Sequence, residues 1–179
     1  MFHMVKLSEL LGKKSTLLLL EYFTANPTKK SYLAKLANEI KLSKVSIINA
    51  LRSLKNSKFL LEERIGRTTL YSLNNANPAA RHLKILFSIS RIMEYFEDFE
   101  GFSGEIYLYG SAARGENDEK SDIDILAIAD KKGEIKPLLE KIEDEGLNIL
   151  FLTQFEYSGL YRKDRALYER IEKDKIRLV

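Results

Sequence analysis

The chain has 179 residues, 45% of them hydrophobic, with two histidines and no cysteine, which allows one ordinary domain or two small ones with real cores and excludes disulfide frameworks and thiolate metal sites. The longest apolar runs, such as Leu17–Leu20, fall far short of a membrane span, and the opening MFHMVKLSELLGKK has no segment long enough for a signal peptide, so a cytoplasmic protein with no membrane partner is expected. The net charge of +3 is uneven: residues 1–75 hold 13 Lys and Arg against 5 Asp and Glu, and the remainder 16 against 21, a pattern that predicts two domains and a polyanion as partner of the first.

In chain order, residues 14–25 are apolar and helix-favouring, and Pro27 disfavours helix at Asn26. SYLAKLANEI predicts a second helix, with Leu33, Leu36, Ala37 and Ile40 at helical spacing and Ser31 as its N-cap. KLSKVSIINALRSLKNSKFL predicts a third, capped by Ser43, with Val45, Ile48, Leu51 and Leu54 as a buried stripe. LLEERIGRTTLYSL then alternates about Ile65-Gly66-Arg67, the pattern of a hairpin with glycine at the turn.

Helix, helix, longer helix and hairpin over residues 14–73 resembles the winged helix-turn-helix of many prokaryotic regulators. The resemblance implies a DNA-binding domain over residues 1–75, with double-stranded DNA as partner. Its third helix would enter the major groove, offering Lys44, Ser46, Asn49 and Ser53. Arg64 and Arg67 on the wing would reach phosphate or the minor groove.

Asn77-Pro78 opens another helix. Its apolar arc holds Leu83, Leu86, Ile89, Met93 and Phe96, with Ile85, Ile92 and Phe99 beside them. That arc is too wide for one partner and would pack on both domains, or on one domain and a second subunit; residues 76–101 are expected to form a linker and homodimerisation helix. Beyond it, EIYLY and DIDILAIA predict strands, EIKPLLEKIEDE a helix stopped by Gly146, and LNILFL a third strand. Thr153 and Glu156 have capping-box spacing. RALYERIEKDK predicts the last helix and IRLV a short final strand.

The stretch GSAARGENDEKSDIDILAI carries the chemistry. Residues i and i+2 of a strand share a side, so Asp122 and Asp124 project together while Ile123 and Ile125 enter the core. A compact carboxylate pair suits magnesium or manganese, completed by substrate phosphates. Gly110-Ser111, leaving a strand, lets backbone and hydroxyl approach a phosphate, and AARGE is expected to open a short helix toward the same anion. Gly-Ser, ten residues and Asp-x-Asp in a strand resembles the signature of the DNA polymerase β-type nucleotidyltransferases, in detail the minimal nucleotidyltransferases of prokaryotes, across residues 102–155. The resemblance implies that Gly110 and Ser111 contact the triphosphate of ATP or another nucleotide, with Arg114 as a further candidate. It implies that Asp122 and Asp124 are the catalytic, metal-holding pair.

One position departs from that pattern. The third carboxylate of the family falls on the next strand, where LNILFL has Asn148. An amide is no general base and a weak ligand for a divalent cation, so two-metal transfer would be impaired while nucleotide binding could survive. Another acid, such as Glu145, could substitute. The expected fold is α+β in two domains, a winged helix-turn-helix followed by a nucleotidyltransferase-like mixed sheet flanked by helices over residues 102–179. The expected function is a DNA-binding regulator, like archaeal proteins of this fused architecture, whose second domain binds a nucleotide and a metal. The alternative is an active enzyme moving AMP to a protein or nucleic acid, antitoxin-like toward a HEPN-type partner.

Overall fold

In the computed structural model the first helix, α1, is Lys14–Ala25, and it buries Leu19, Leu20 and Phe23 completely. It stops where Pro27 forbids continuation, and Asn26 turns its amide back onto the Tyr22 carbonyl at 2.9 Å. The structure describes residues 11–96, 102–130, 133 and 146–179. These form two compact units, Met1–Lys84 and Ile85–Val179.

Ser31 is not the cap of the second helix. It lies in a two-residue strand β1, Ser31–Tyr32, paired with Tyr71, and α2 begins later at Leu33–Ile40 with no side-chain cap. The Ser31 hydroxyl is buried and hydrogen bonded to the Tyr22 hydroxyl at 2.7 Å. A strand bridge and a satisfied buried hydroxyl outweigh one capping bond.

Helix α3, Lys44–Asn56, is capped as expected, with Ser43 Oγ accepting from the Ser46 amide at 3.2 Å. Its buried stripe differs from the expected one. Ile47, Ala50, Leu51 and Leu54 face inward, whereas Val45 is 68% and Ile48 39% exposed. A strict three-residue repeat drifts by about 60° per step, which carries Val45 to the side of the helix opposite Leu54. The hairpin follows as read, with β2 Leu60–Ile65 antiparallel to β3 Thr68–Leu73. Gly66, with φ +59°, and Arg67 make the two-residue turn between Ile65 and Thr68. The small sheet runs β1-β3-β2.

Helix α4 is Pro78–Phe96, and Asn77 Oδ1 accepts from the Ala79 amide at 2.9 Å at its start. On its apolar arc Leu83 and Ile92 are buried, but Leu86 is 52% and Met93 37% exposed. Phe99 and the Phe96 side chain lie outside the described residues.

The second unit is built on a mixed sheet of order β6-β5-β4-β7. Strand β4, Glu105–Tyr109, runs antiparallel to β5, Ile123–Ile128. Strand β6, Leu147–Leu152, is parallel to β5, and β7, Ile176–Arg177, pairs antiparallel with β4. One face buries Ile106, Leu108, Ile123, Ile125 and Ala127 against Ile92 of α4. The other buries Tyr109, Leu126 and Ile128 against helices α6, Gln154–Lys163, and α7, Arg165–Asp174, through Leu160 and Ile171. A sheet covered on both faces explains why IDILAI is nearly continuous in apolar residues. Thr153 and Glu156 close a full capping box at α6, and Asp164 caps α7 through the Leu167 amide at 3.0 Å. The helix expected over EIKPLLEKIEDE, and Glu145 with it, lies outside the described residues. Among the described residues no helix is long and apolar enough to cross a membrane. The chain is thus a mixed α+β protein.

Candidate nucleotide site

The edge of the second sheet aligns three polar side chains in one cross-strand row. Tyr109 pairs with Asp124 across β4 and β5, and Asp124 pairs with Asn148 across β5 and β6. Paired residues share a face, and this is the face that α6 and α7 cover farther along the strands. Asp122 is exposed just ahead of β5, Asp124 is half-buried, and Ile123 and Ile125 point into the core. The alternation read from the sequence thus holds for Ile123, Asp124 and Ile125, while Asp122 precedes the strand. Asp118 closes the turn that leads into Asp122. Its carboxylate accepts from the Lys120 amide and the Ser121 hydroxyl, both at 2.9 Å, and these bonds, the Lys120 amide first, hold it below the usual carboxylate range.

Gly110 follows Tyr109 directly and is glycine for two reasons. Its φ of +73° is left-handed, and a Cβ there would collide with the Asp124 carboxylate. The glycine turn and the second aspartate are thus in contact, which their separation in sequence does not reveal. The short helix α5 is Gly110–Ala113. It begins at the Gly-Ser pair rather than after it, because Ala112 and Ala113 drop into the core beside Ile92 and anchor the turn. Ser111 is half-buried at its start.

Arg114 is engaged by protein carboxylates. Its Nε meets Glu116 at 2.7 Å and its Nη1 meets Asp174 of α7 at 3.0 Å. These bonds, the Glu116 bond first, raise its pKa further. Asn148 is the register partner of Asp124 on β6, and its Nδ2 donates to Asp124 Oδ1 at 2.9 Å. Among the described residues no cluster of three His, Cys, Asp or Glu side chains could hold a metal. Two carboxylates fit one hard divalent cation completed by phosphate oxygens.

Two residues at this edge had no signature in sequence. Tyr109 is buried, and burial first and the Asp124 charge second push its hydroxyl up. Arg170 of α7 stacks over the Tyr109 ring, with its guanidinium carbon 5.9 Å from the centroid. Strand alternation puts Tyr109 on the Asp124 face, but nothing local to α7 announces Arg170.

On the first unit, Lys44 and Asn49 of α3 are exposed, and Ser46 and Ser53 are half-buried. The Ser46 hydroxyl is bonded to Ser43 Oγ at 2.9 Å. Val45, Ile48 and Arg52, absent from the expected set, share the exposed arc with Asn49. Arg64 folds onto the hairpin turn, donating to the Gly66 carbonyl at 3.3 Å, and Arg67 is exposed at its tip.

Residues 89–177 match the family model described as a nucleotidyltransferase domain. Among solved structures, the chain is similar to one described as a "putative nucleotidyltransferase" from Sulfolobus solfataricus. Identity is 24%, the match covers 54% of this chain and 84% of that one, and the TM-score is 0.36. No curated protein matches the chain. The matched segment contains Gly110, Ser111, Asp122, Asp124 and Asn148, and the chain carries a nucleotidyltransferase domain.

Proposed function

We propose that the protein is a DNA-binding regulator whose nucleotidyltransferase domain binds a nucleoside triphosphate with one divalent cation and is a poor transferase. The observation that carries this reading is the bond from Asn148 Nδ2 to Asp124 Oδ1. Where a third carboxylate would share a second metal or take a proton, an amide instead donates to the aspartate. Nucleotidyltransferase domains generally use a nucleotide and a divalent cation. Held by Asp122 and Asp124, magnesium or manganese would supply neutralisation of phosphate charge. Gly110 lets the backbone approach phosphate, and Ser111 offers its hydroxyl beside it.

The first unit is read as a winged helix-turn-helix. Three helices followed by a hairpin support this, as does the excess of 13 basic over 5 acidic residues in 1–75. The surface offered to DNA is Lys44, Asn49 and Arg52 with Ser46 and Ser53 beside them, and Arg64 and Arg67 on the wing. Val45 and Ile48 add apolar groups of the kind that contact thymine methyls. A homodimer belongs to the same reading, and Leu86 and Met93, exposed on α4, support it.

A second reading is an active enzyme that transfers AMP to a protein, such as a HEPN-type partner, or to a nucleic acid. The intact Gly110-Ser111 and Asp122-x-Asp124 pattern favours it. Incubation with labelled ATP, magnesium and candidate acceptors separates the two. Covalent label on an acceptor supports the enzyme, and saturable reversible binding without label supports the sensor.

A further inference from the structure

The motif offers Arg114 as the phosphate-facing cation, and the fold commits it elsewhere. Its guanidinium is paired with Glu116 and with Asp174. Asp174 lies one helical turn beyond Arg170 on α7, so the two share a side of that helix. Asp174 thus reaches α5 while Arg170 reaches the row of Tyr109 and Asp124. Lys175, which follows Asp174, is also committed, to Glu172 at 2.5 Å and to the Tyr157 hydroxyl at 2.9 Å. Arg170 differs in being exposed and in meeting, among the described residues, no carboxylate that holds it elsewhere: its guanidinium carbon lies 5.9 Å from the Tyr109 ring centroid, and it bonds to the Tyr109 side chain.

That placement has a chemical consequence. Tyr109 is the residue before Gly110 and the register partner of Asp124, so the ring that Arg170 meets is next to the turn in the chain and to the carboxylate in the sheet. An arginine stacked on an aromatic ring is held in direction while its N–H groups stay available to an anion. A triphosphate with one divalent cation remains negatively charged, and two aspartates alone would repel it. We propose that Arg170 is a nucleotide-binding residue, donating to the anionic oxygens of a triphosphate seated at Gly110-Ser111, in the place that the motif suggests for Arg114. This rests on the reading that the domain binds a nucleoside triphosphate. Arg114 then has a structural role, tying α5 to α7 through Asp174, which positions Arg170.

The test is calorimetry on the full chain with magnesium-ATP and, as a probe of phosphate alone, magnesium-tripolyphosphate. Arg170→Gln and Arg170→Ala should each weaken both ligands by about tenfold or more, the effect of losing hydrogen bonds to a charged group. Arg170→Lys should recover part of the loss, because charge returns without the planar fork. The melting temperature of the ligand-free protein should fall by no more than the few degrees that the loss of one exposed cation–π contact allows. Wild type binding with the variants equal to it overturns the role of Arg170 and leaves the nucleotide reading standing. A wild type that binds neither ligand overturns both. A loss in Arg170→Gln accompanied by an equal loss of ligand-free stability assigns Arg170 to the fold and also overturns the proposal.

Discussion

Asn148 and Asp124 are register partners on adjacent parallel strands, and the Asn148 amide nitrogen donates to Asp124 Oδ1 at 2.9 Å. The amide satisfies that oxygen without adding the charge that a carboxylate at the same place would bring. In a row that already contains Asp124, with Asp122 two residues away, a third negative charge would cost stability without a cation.

Asn148→Asp should therefore lower ligand-free stability by on the order of 1 kcal/mol, through the lost hydrogen bond and the new repulsion. Magnesium should restore it, and the magnesium-dependent rise in melting temperature should exceed that of wild type. Asp124→Asn should behave oppositely, with a ligand-free protein at least as stable and a smaller magnesium response. Thermal melts with magnesium and with a chelator check both.

Gly110→Ala should be among the most disruptive single-methyl changes in the second unit. A left-handed backbone costs a residue with a side chain roughly 1–2 kcal/mol, and the new Cβ also strikes the Asp124 carboxylate. Urea titration should show the loss. Pairing it with Asp124→Ala should recover the steric part and leave the backbone part. A double variant no more stable than Gly110→Ala alone would contradict the contact.

A third expectation concerns alkaline pH. Burial first, and the hydrogen bond to Glu172 second, push the Tyr157 hydroxyl up from 10.0 to about 12. Burial works against the Lys175 ammonium, but its bonds to Glu172 and Tyr157 outweigh that and raise its pKa too. In both cases the folded state holds its proton more tightly than the unfolded chain. That stability is complete below pH 10 and declines as pH climbs from about 10 toward 12. Tyr157→Phe should make the decline shallower. Buried Tyr109 and half-buried Tyr22, Tyr71 and Tyr107 are raised as well, by burial first, so some decline should persist. Urea midpoints across that range measure it.

DNA binding by the first unit should weaken steeply with salt, as counterion release requires. Lys44→Ala with Arg67→Ala should weaken it on every sequence. Arg52→Ala and Ile48→Ser should act more on preferred sites than on random ones, because they stand on the arc that would meet base edges. Binding measured over a salt series on a duplex library would show this. No shift of any duplex at low salt would remove DNA from the account.

Most elements are legible in the chain because their signals are local. The Ser43 cap, the Gly66 turn, the Thr153–Glu156 box and the alternation at Asp122-x-Asp124 each need only a few neighbouring residues. What escapes is set by contacts distant in sequence. Ser31 looks like a cap until Tyr71 pairs with it and Tyr22 bonds its hydroxyl. Val45 and Ile48 look like core because a three-residue repeat resembles a helical stripe over two turns and departs from it over three. Arg114 looks free for phosphate until α7 brings Asp174 to it, and the same helix brings Arg170 to Tyr109. Asn148 could be placed by sequence, but that its amide serves Asp124 is visible only in the folded sheet.

The central claim is a domain that binds a nucleotide with one cation and transfers poorly because position 148 is an amide. The measurement that tests it most directly is calorimetry of the full chain with magnesium and each common nucleoside triphosphate, run beside a labelled-ATP transfer assay with candidate acceptors. The account predicts saturable, magnesium-dependent binding that Asp124→Asn weakens, no covalent label from wild type, and label appearing only when Asn148→Asp is introduced. Efficient transfer by wild type, or no heat with any triphosphate in the presence of magnesium, would contradict it.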